Sequence, residues 1–193
     1  CQYTHIYTHK STSLRQYFHA HPEVSYKEKN TAQFIISELK SYVQTHASLC
    51  KVLGESEIET ELRTKVDGTY GVMFDLRFGK GGRTIMLRAD MDALPIRETT
   101  NVDYISKNEG VSHACGHDAH MSILLIVAKV LLRDRKLRKH LNGCIRLIFQ
   151  PAEEGGAGAK RMIAGKCLEN VDMVFGLHVW NFQPVGTVGT LLS

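Results

Sequence analysis

Apolar side chains recur along the chain with two periods, and the change between them divides it. Thr31, Phe34, Ile35, Leu39 and Val43 lie on one helical face, which predicts an amphipathic helix from about Glu28 to Tyr42. Before it, Ser11 or Ser13 is placed to cap a short helix through Phe18 and His19. Pro22 stops that helix by restricting His21 and removing a backbone donor. Residues 45–68 are polar with few apolar anchors and predict at most one strand. From Tyr70 the period shortens: TYGVMFDLRF, a GKGG turn and RTIMLRA read as two strands rich in apolar and β-branched residues.

A loop from Asp90 to about Gly116 is long enough to point to function or to an external partner. The segment HDAHMSILLIVAKVLL, residues 117–132, is apolar on several sides and predicts a largely buried helix. GCIRLIFQ reads as a short interior strand, GGAGAKRMIAGK as a glycine-led helix, VDMVFGLHVW as another buried strand and VGTVGTLL as a last one. Strands alternate with helices, so the expected fold is α/β, a mixed β-sheet with helices on both faces.

Composition narrows the function more than the fold. The chain has 193 residues, 43% of them hydrophobic and 23% charged, enough for one domain with a single core. The net charge of +4 is spread out except at Arg133, Arg135, Lys136, Arg138 and Lys139. That cluster reads as the solvated end of a helix, so no nucleic-acid partner is expected. Five cysteines, at positions 1, 50, 115, 144 and 167, are odd in number and irregularly spaced, which argues against disulfide stapling and for a reducing compartment. No apolar run is long enough to span a membrane and the first 20 residues lack the core of a signal peptide, so a soluble, intracellular protein without membrane association is expected. The start at Cys1 rather than Met predicts residues upstream of this sequence.

Candidate chemistry gathers in four polar clusters, each at the end of an apolar element, where α/β sheets collect ligands. Asp90 and Asp92 follow RTIMLRA; spaced two apart, they suit a metal shell or simply a turn. SHACGHDAH holds His113, Cys115, His117, Asp118 and His120. Gly116 permits a tight turn that aims the Cys115 thiolate and the His117 imidazole at one point. This spacing departs from CxxC and suits an open, catalytic metal site better than a structural one. Incidental histidines around a buried cysteine are the plainer alternative. Glu153 and Glu154 follow the strand GCIRLIFQ, and adjacent side chains point apart, so one can bind a metal while the other faces substrate as general base. Alone, such a pair is usually a solvated turn. His178 interrupts an apolar run and would be a core residue if the other clusters were absent. A thiolate, imidazoles and a carboxylate together fit zinc, manganese, cobalt or nickel.

The order RADMDALP, HACGHDAH, PAEEGGAGA, GLHVW, with the opening LRQYFHAHPEVSYKEKNTAQFI, resembles the M20 metallopeptidase family, subfamily D. That group includes hippurate hydrolase, N-acyl-amino-acid amidohydrolases and auxin-conjugate hydrolases. The resemblance implies a zinc-peptidase-like catalytic domain with two divalent metal ions, held in part by Cys115, His117, Glu154 and His178. It makes Glu153 the general base and Asp92 a support behind the metal shell, with Asp90 a secondary candidate where related subfamilies carry a histidine ligand. The implied reaction is hydrolysis of the amide bond of N-acyl or N-aroyl amino acids, a small-molecule substrate. It also implies that residues 1–193 are the N-terminal part of the catalytic domain. A lid and dimerisation domain, a further histidine ligand and the carboxylate-binding residues of the lid would then lie elsewhere, and a homodimer or partner chain would form through that lid. The alternative is a catalytically retired structural or interaction subunit. Either way, a sheet lacking its continuation predicts exposed apolar edges and, for the isolated 193 residues, poor solubility or the need for a partner.

Overall fold

Alternation along the strands sorts their side chains onto two faces, and both faces are covered. In the computed structural model, which describes residues 2–190, the strands are β1 (Glu59–Thr64), β2 (Val72–Phe78), β3 (Arg83–Asp90), β4 (Gly143–Gln150) and β5 (Met173–Gly176). The helices are α1 (Gln2–Ala20), α2 (Lys29–Leu53), α3 (His117–Arg133), α4 (Arg135–Arg138) and α5 (Gly158–Ala164). The strands form one sheet in the order β1-β2-β4-β3-β5. β1 and β4 are antiparallel to β2, whereas β3 runs parallel to both β4 and β5. The expected mixed sheet is therefore present.

On one face, Phe74, Leu147 and Phe149 of the sheet pack against Phe18, Ile35, Leu39, Met121 and Leu125 of α1, α2 and α3. On the other, Met73, Met86 and Ile148 meet Met162 of α5, together with Val66 and Cys167. Arg146 also points to this second face. Its guanidinium grips both oxygens of Asp75 at 2.8 Å and donates to the carbonyls of Cys167 and Glu169, so the buried charge is paired and its donors are used.

β2 and β3 are consecutive in the chain but not neighbours in the sheet. β4 lies between them, with Gly143 registered against both Phe78 and Arg83. Gly143 holds φ 111°, and a Cβ there would meet the Arg83 carbonyl at 2.2 Å, so only glycine starts this central strand.

The elements depart from the sequence reading at their ends. α1 runs back to Gln2, and the Ser13 hydroxyl donates to the His9 carbonyl within the helix instead of capping it. α2 continues to Leu53 because Tyr42, His46 and Cys50, four apart, carry its buried stripe through a stretch that is otherwise polar. The strand expected within 45–68 is β1. The strand in VDMVFGLHVW shrinks to the four residues of β5 and is not buried: it borders the sheet beside β3, with Phe175 54% exposed. Residues 185–190 form no strand, and the rest of VGTVGTLL lies outside the described residues. The basic cluster does flank a helix end, but Arg135 and Arg138 both pair with Glu55 and are not simply solvated. Among the described residues Cys50, Cys115, Cys144 and Cys167 are free, and none of the helices is long and apolar enough to cross a membrane; Cys1 lies outside the described residues.

Candidate metal centre

The parallel pairing of β3, β4 and β5 brings their C-terminal ends to one edge of the sheet. Asp90 ends β3, Glu153 and Glu154 follow β4, and His178 follows β5. α3 starts at the same edge. Gly116, at φ 84°, turns the chain so that Cys115 and His117 stand on either side of it. A Cβ at Gly116 would meet Val179 Cγ2 at 2.4 Å, so the two loops touch at that point.

His117 is the centre of the group. Its Nδ1–H donates to the Asp92 main-chain carbonyl at 2.7 Å. Nε2 then faces Asp90 at 3.6 Å, Glu154 at 3.8 Å and Glu153 at 3.9 Å. Nε2 is buried and has no hydrogen-bond partner, an arrangement that costs stability unless something occupies the space. Burial works against a charge on His117, but the carboxylates of Asp92 and Asp90 outweigh it and raise its proton affinity. The same negative field favours a cation at Nε2.

Among the described residues, three sets of side chains bring ligand atoms within 4.8 Å of one another: Cys115, His117 and His178; Asp90, His117 and His120; and His117, Glu153 and Glu154. Cys115 Sγ lies 3.5 Å from His178 Nε2, while His178 Nδ1–H donates to the Val179 carbonyl. Burial, and then the Glu154 carboxylate beside it, push the Cys115 thiol up to about 12. A thiol, imidazoles and carboxylates facing one another form a donor set suited to a divalent transition ion, and the orphaned His117 nitrogen fits it.

Asp92 lies behind this group. Oδ1 accepts the main-chain N–H of Glu153, and Oδ2 accepts that of Glu154 and the hydroxyl of Ser25. Burial opposes its charge, yet these donors and His117 hold its carboxyl far below the usual range. Asp90, a secondary candidate on sequence grounds, is inside the cluster. It accepts from His120 Nδ1 at 2.6 Å and pairs with Arg88 at 2.8 Å. His120 Nε2 in turn accepts the Val179 N–H, which ties the loop carrying His178 to α3.

The structure does not bring every residue of SHACGHDAH into this cluster. Asp118 turns away, to His19 at 2.7 Å and Arg15 at 3.2 Å, and His19 reaches Glu98 with its other nitrogen. His113 is buried with neither ring nitrogen bonded, and burial brings its pKa down to about 4. Sequence reasoning missed Ser25, Glu28 and Arg88 altogether. Their signals were single polar residues in HPEVSYKE and RTIMLRA, segments read for the turn after Pro22, a strand and the family resemblance but not residue by residue for a site.

The family model for peptidase family M20/M25/M40 matches residues 86–192. Thermostable carboxypeptidase 1 of Saccharolobus solfataricus is 42% identical over 179 residues, which cover 92% of this chain and 41% of that protein. The N-acyl-L-amino acid amidohydrolase of Geobacillus stearothermophilus is 39% identical over 176 residues, covering 91% of this chain and 42% of that protein. The Bacillus subtilis YXEP protein, a dinuclear metal binding peptidase from the M20 family, superposes with a TM-score of 0.82 at 33% identity, over 96% of this chain and 46% of that chain. The chain thus spans about two fifths of the length of the curated relatives it matches. A family match that takes in more than half of the 193 residues, and begins within the strand that delivers Asp90, makes the chain a member of peptidase family M20/M25/M40.

Proposed function

We propose that this chain supplies the metal-binding part of an amidohydrolase that cleaves N-acyl amino acids into a carboxylic acid and a free amino acid. Cys115, His117, Glu154 and His178 are its metal ligands in this reading, and Glu153 is its general base. The observation that carries it is the buried, unpartnered Nε2 of His117, facing three carboxylates within 3.9 Å. Convergence of all four sequence clusters favours an active site over a retired one, since a retired site has no physical need to keep these groups together.

Divalent metal ions, when bound, supply Lewis acidity that polarises the scissile carbonyl and makes water nucleophilic at neutral pH. The chain's own residues do the rest. Glu153, 42% exposed beside the more covered Glu154, is in this reading the glutamate open to a substrate arriving from solvent. It takes a proton from the attacking water as oxygen bonds to the acyl carbon, and passes that proton to the nitrogen as the C–N bond breaks. Asp92 stays ionised throughout and fixes the backbone of both glutamates together with the ring of His117.

The names of the relatives support this substrate class. A carboxypeptidase and an N-acyl amino acid amidohydrolase break the same kind of bond, an amide whose nitrogen belongs to an amino acid with a free carboxylate. The groups that would hold that carboxylate, a further histidine ligand and a dimerising lid belong, in this reading, outside these 193 residues.

The test is elemental analysis and an N-acyl amino acid assay on the natural full-length protein, comparing wild type with Cys115→Ala and Glu153→Gln. Bound transition metal that falls in Cys115→Ala, and turnover that falls by about 100-fold or more in Glu153→Gln with metal retained, are the expected results. Full turnover in Glu153→Gln would reject the assignment of the base.

A further inference from the structure

Glu28 is wholly buried at the head of α2, and although its carbonyl accepts the Ala32 N–H, the helix does not use its side chain. It makes no side-chain cap there. Glu23 does that work instead, accepting the N–H groups of Asn30 and Thr31. The bonds of Glu28 go to loops: Oε1 accepts the N–H of Tyr26 at 3.0 Å and, across the chain, that of Ala152 at 2.8 Å.

Ala152 is the residue from which Glu153 and Glu154 are launched, and its backbone is strained. It holds φ 51°, a left-handed conformation unusual for a residue with a Cβ. Its carbonyl accepts the N–H of Gly158, which closes the turn on itself. Tyr26, also left-handed at φ 61°, donates its hydroxyl to the Gly156 carbonyl, so the same short segment holds the turn at a second point.

We infer that Glu28 is a positioning residue for the Glu153–Glu154 turn, holding Ala152 in its left-handed conformation so that both carboxylates reach toward His117 Nε2, Glu154 the more covered and Glu153 the more exposed. Without this acceptor the Ala152 N–H would be buried and unpaired, and the backbone would relax toward an ordinary φ. Both glutamates would then turn together. Burial, with the Asp92 charge nearby, pushes the Glu28 carboxyl up from its ordinary value. Both N–H groups land on the same oxygen, Oε1, so a glutamine, which keeps one such oxygen, is a close mimic.

The inference rests on the proposed function for its kinetic arm only. In the natural full-length protein, Glu28→Ala and the milder Glu28→Asp, which withdraws the carboxylate from Ala152, are expected to lower kcat by about 10- to 100-fold with little change in KM. Both are expected to lose bound zinc faster than wild type during dialysis against a chelator. Glu28→Gln, whose amide oxygen still accepts both N–H groups, is expected to stay within about threefold of wild type in each measure. Glu23→Ala removes the cap of α2 and should lower the melting temperature while leaving kcat and zinc retention near wild type. Glu28→Asp with wild-type kcat and zinc retention, or Glu28→Ala matching Glu23→Ala in every readout, would overturn the inference. Should wild type hydrolyse no N-acyl amino acid while Glu28→Asp still sheds zinc faster, the proposed function fails and the positioning role stands.

Discussion

Asp92 and Glu154 meet through the main chain: Oδ2 of the aspartate accepts the N–H of the glutamate at 3.0 Å, just as Oδ1 accepts that of Glu153 at 2.9 Å. One side chain thus fixes the direction of both glutamates without touching their carboxylates. Asp92→Ala is expected to weaken zinc binding by about 10- to 100-fold, measured by chelator competition, because it frees two backbone donors and removes the carboxylate 3.6 Å from His117 Nδ1. Unchanged affinity would mean that the turn holds itself.

Gly116→Ala should separate the metal site from the rest of the fold. The added Cβ falls on Val179, in a backbone conformation that costs an alanine about 1–2 kcal/mol, and the shift passes to His178 next door. In the cobalt-loaded protein the thiolate charge-transfer band is expected to weaken while the far-ultraviolet circular dichroism is retained. A band of full strength would show that the contact with Val179 yields without moving the ligands.

His19 makes stability depend on pH from outside the ligand cluster. The carboxylate of Asp118, assisted by Glu98, raises its pKa above the ordinary 6.5, despite burial. A raised folded value stabilises fully below pH 6.5 and fades as pH climbs through the higher folded value. Asp118 is opposite in sign. Burial disfavours its charge, but His19 holds its carboxyl below the ordinary 3.8, so its contribution is present above that pH and is lost as pH falls through the lower folded value. The difference in melting temperature between wild type and His19→Gln should be widest between pH 3.8 and 6.5 and shrink above. A constant difference across neutral pH would remove the ionic component.

Leu125 is fully buried in the core shared by the sheet and the three longest helices. Leu125→Ala is expected to cost about 3–5 kcal/mol in denaturant unfolding, with Leu137→Ala on the surface near neutral. A loss below about 1 kcal/mol would mean that the core collapses around the vacancy.

Much of this was legible in the sequence because periodicity and position are local signals. The strands at Val72–Phe78, Arg83–Asp90 and Gly143–Gln150 and the helix starting at His117 fall where the apolar pattern puts them. The residues Asp92, Cys115, His117, Glu153, Glu154 and His178 lie at element ends, as read, and they meet. What the pattern concealed depends on partners distant in the chain. α2 outlasts its predicted end because a histidine and a cysteine, His46 and Cys50, serve as its inner face. β5 is apolar yet exposed, since apolar character reports what a strand seeks and not what covers it. Glu28 looks like an ordinary helix-start acid until the turn at Ala152 is placed beside it.

The insertion of β4 between β2 and β3 has a consequence for the chain as it is made. The two earlier strands leave the ribosome in succession, joined by a glycine-rich turn, yet in the folded sheet they are not a hairpin, because the place between them belongs to a strand that begins only at Gly143. Until then their apolar residues have no permanent neighbour, and closing the sheet demands contacts far apart in sequence, which is slow. During that interval the exposed apolar faces and open strand edges can pair wrongly. The candidate site is assembled late too, since His178 meets Cys115 only once β5 has docked on β3.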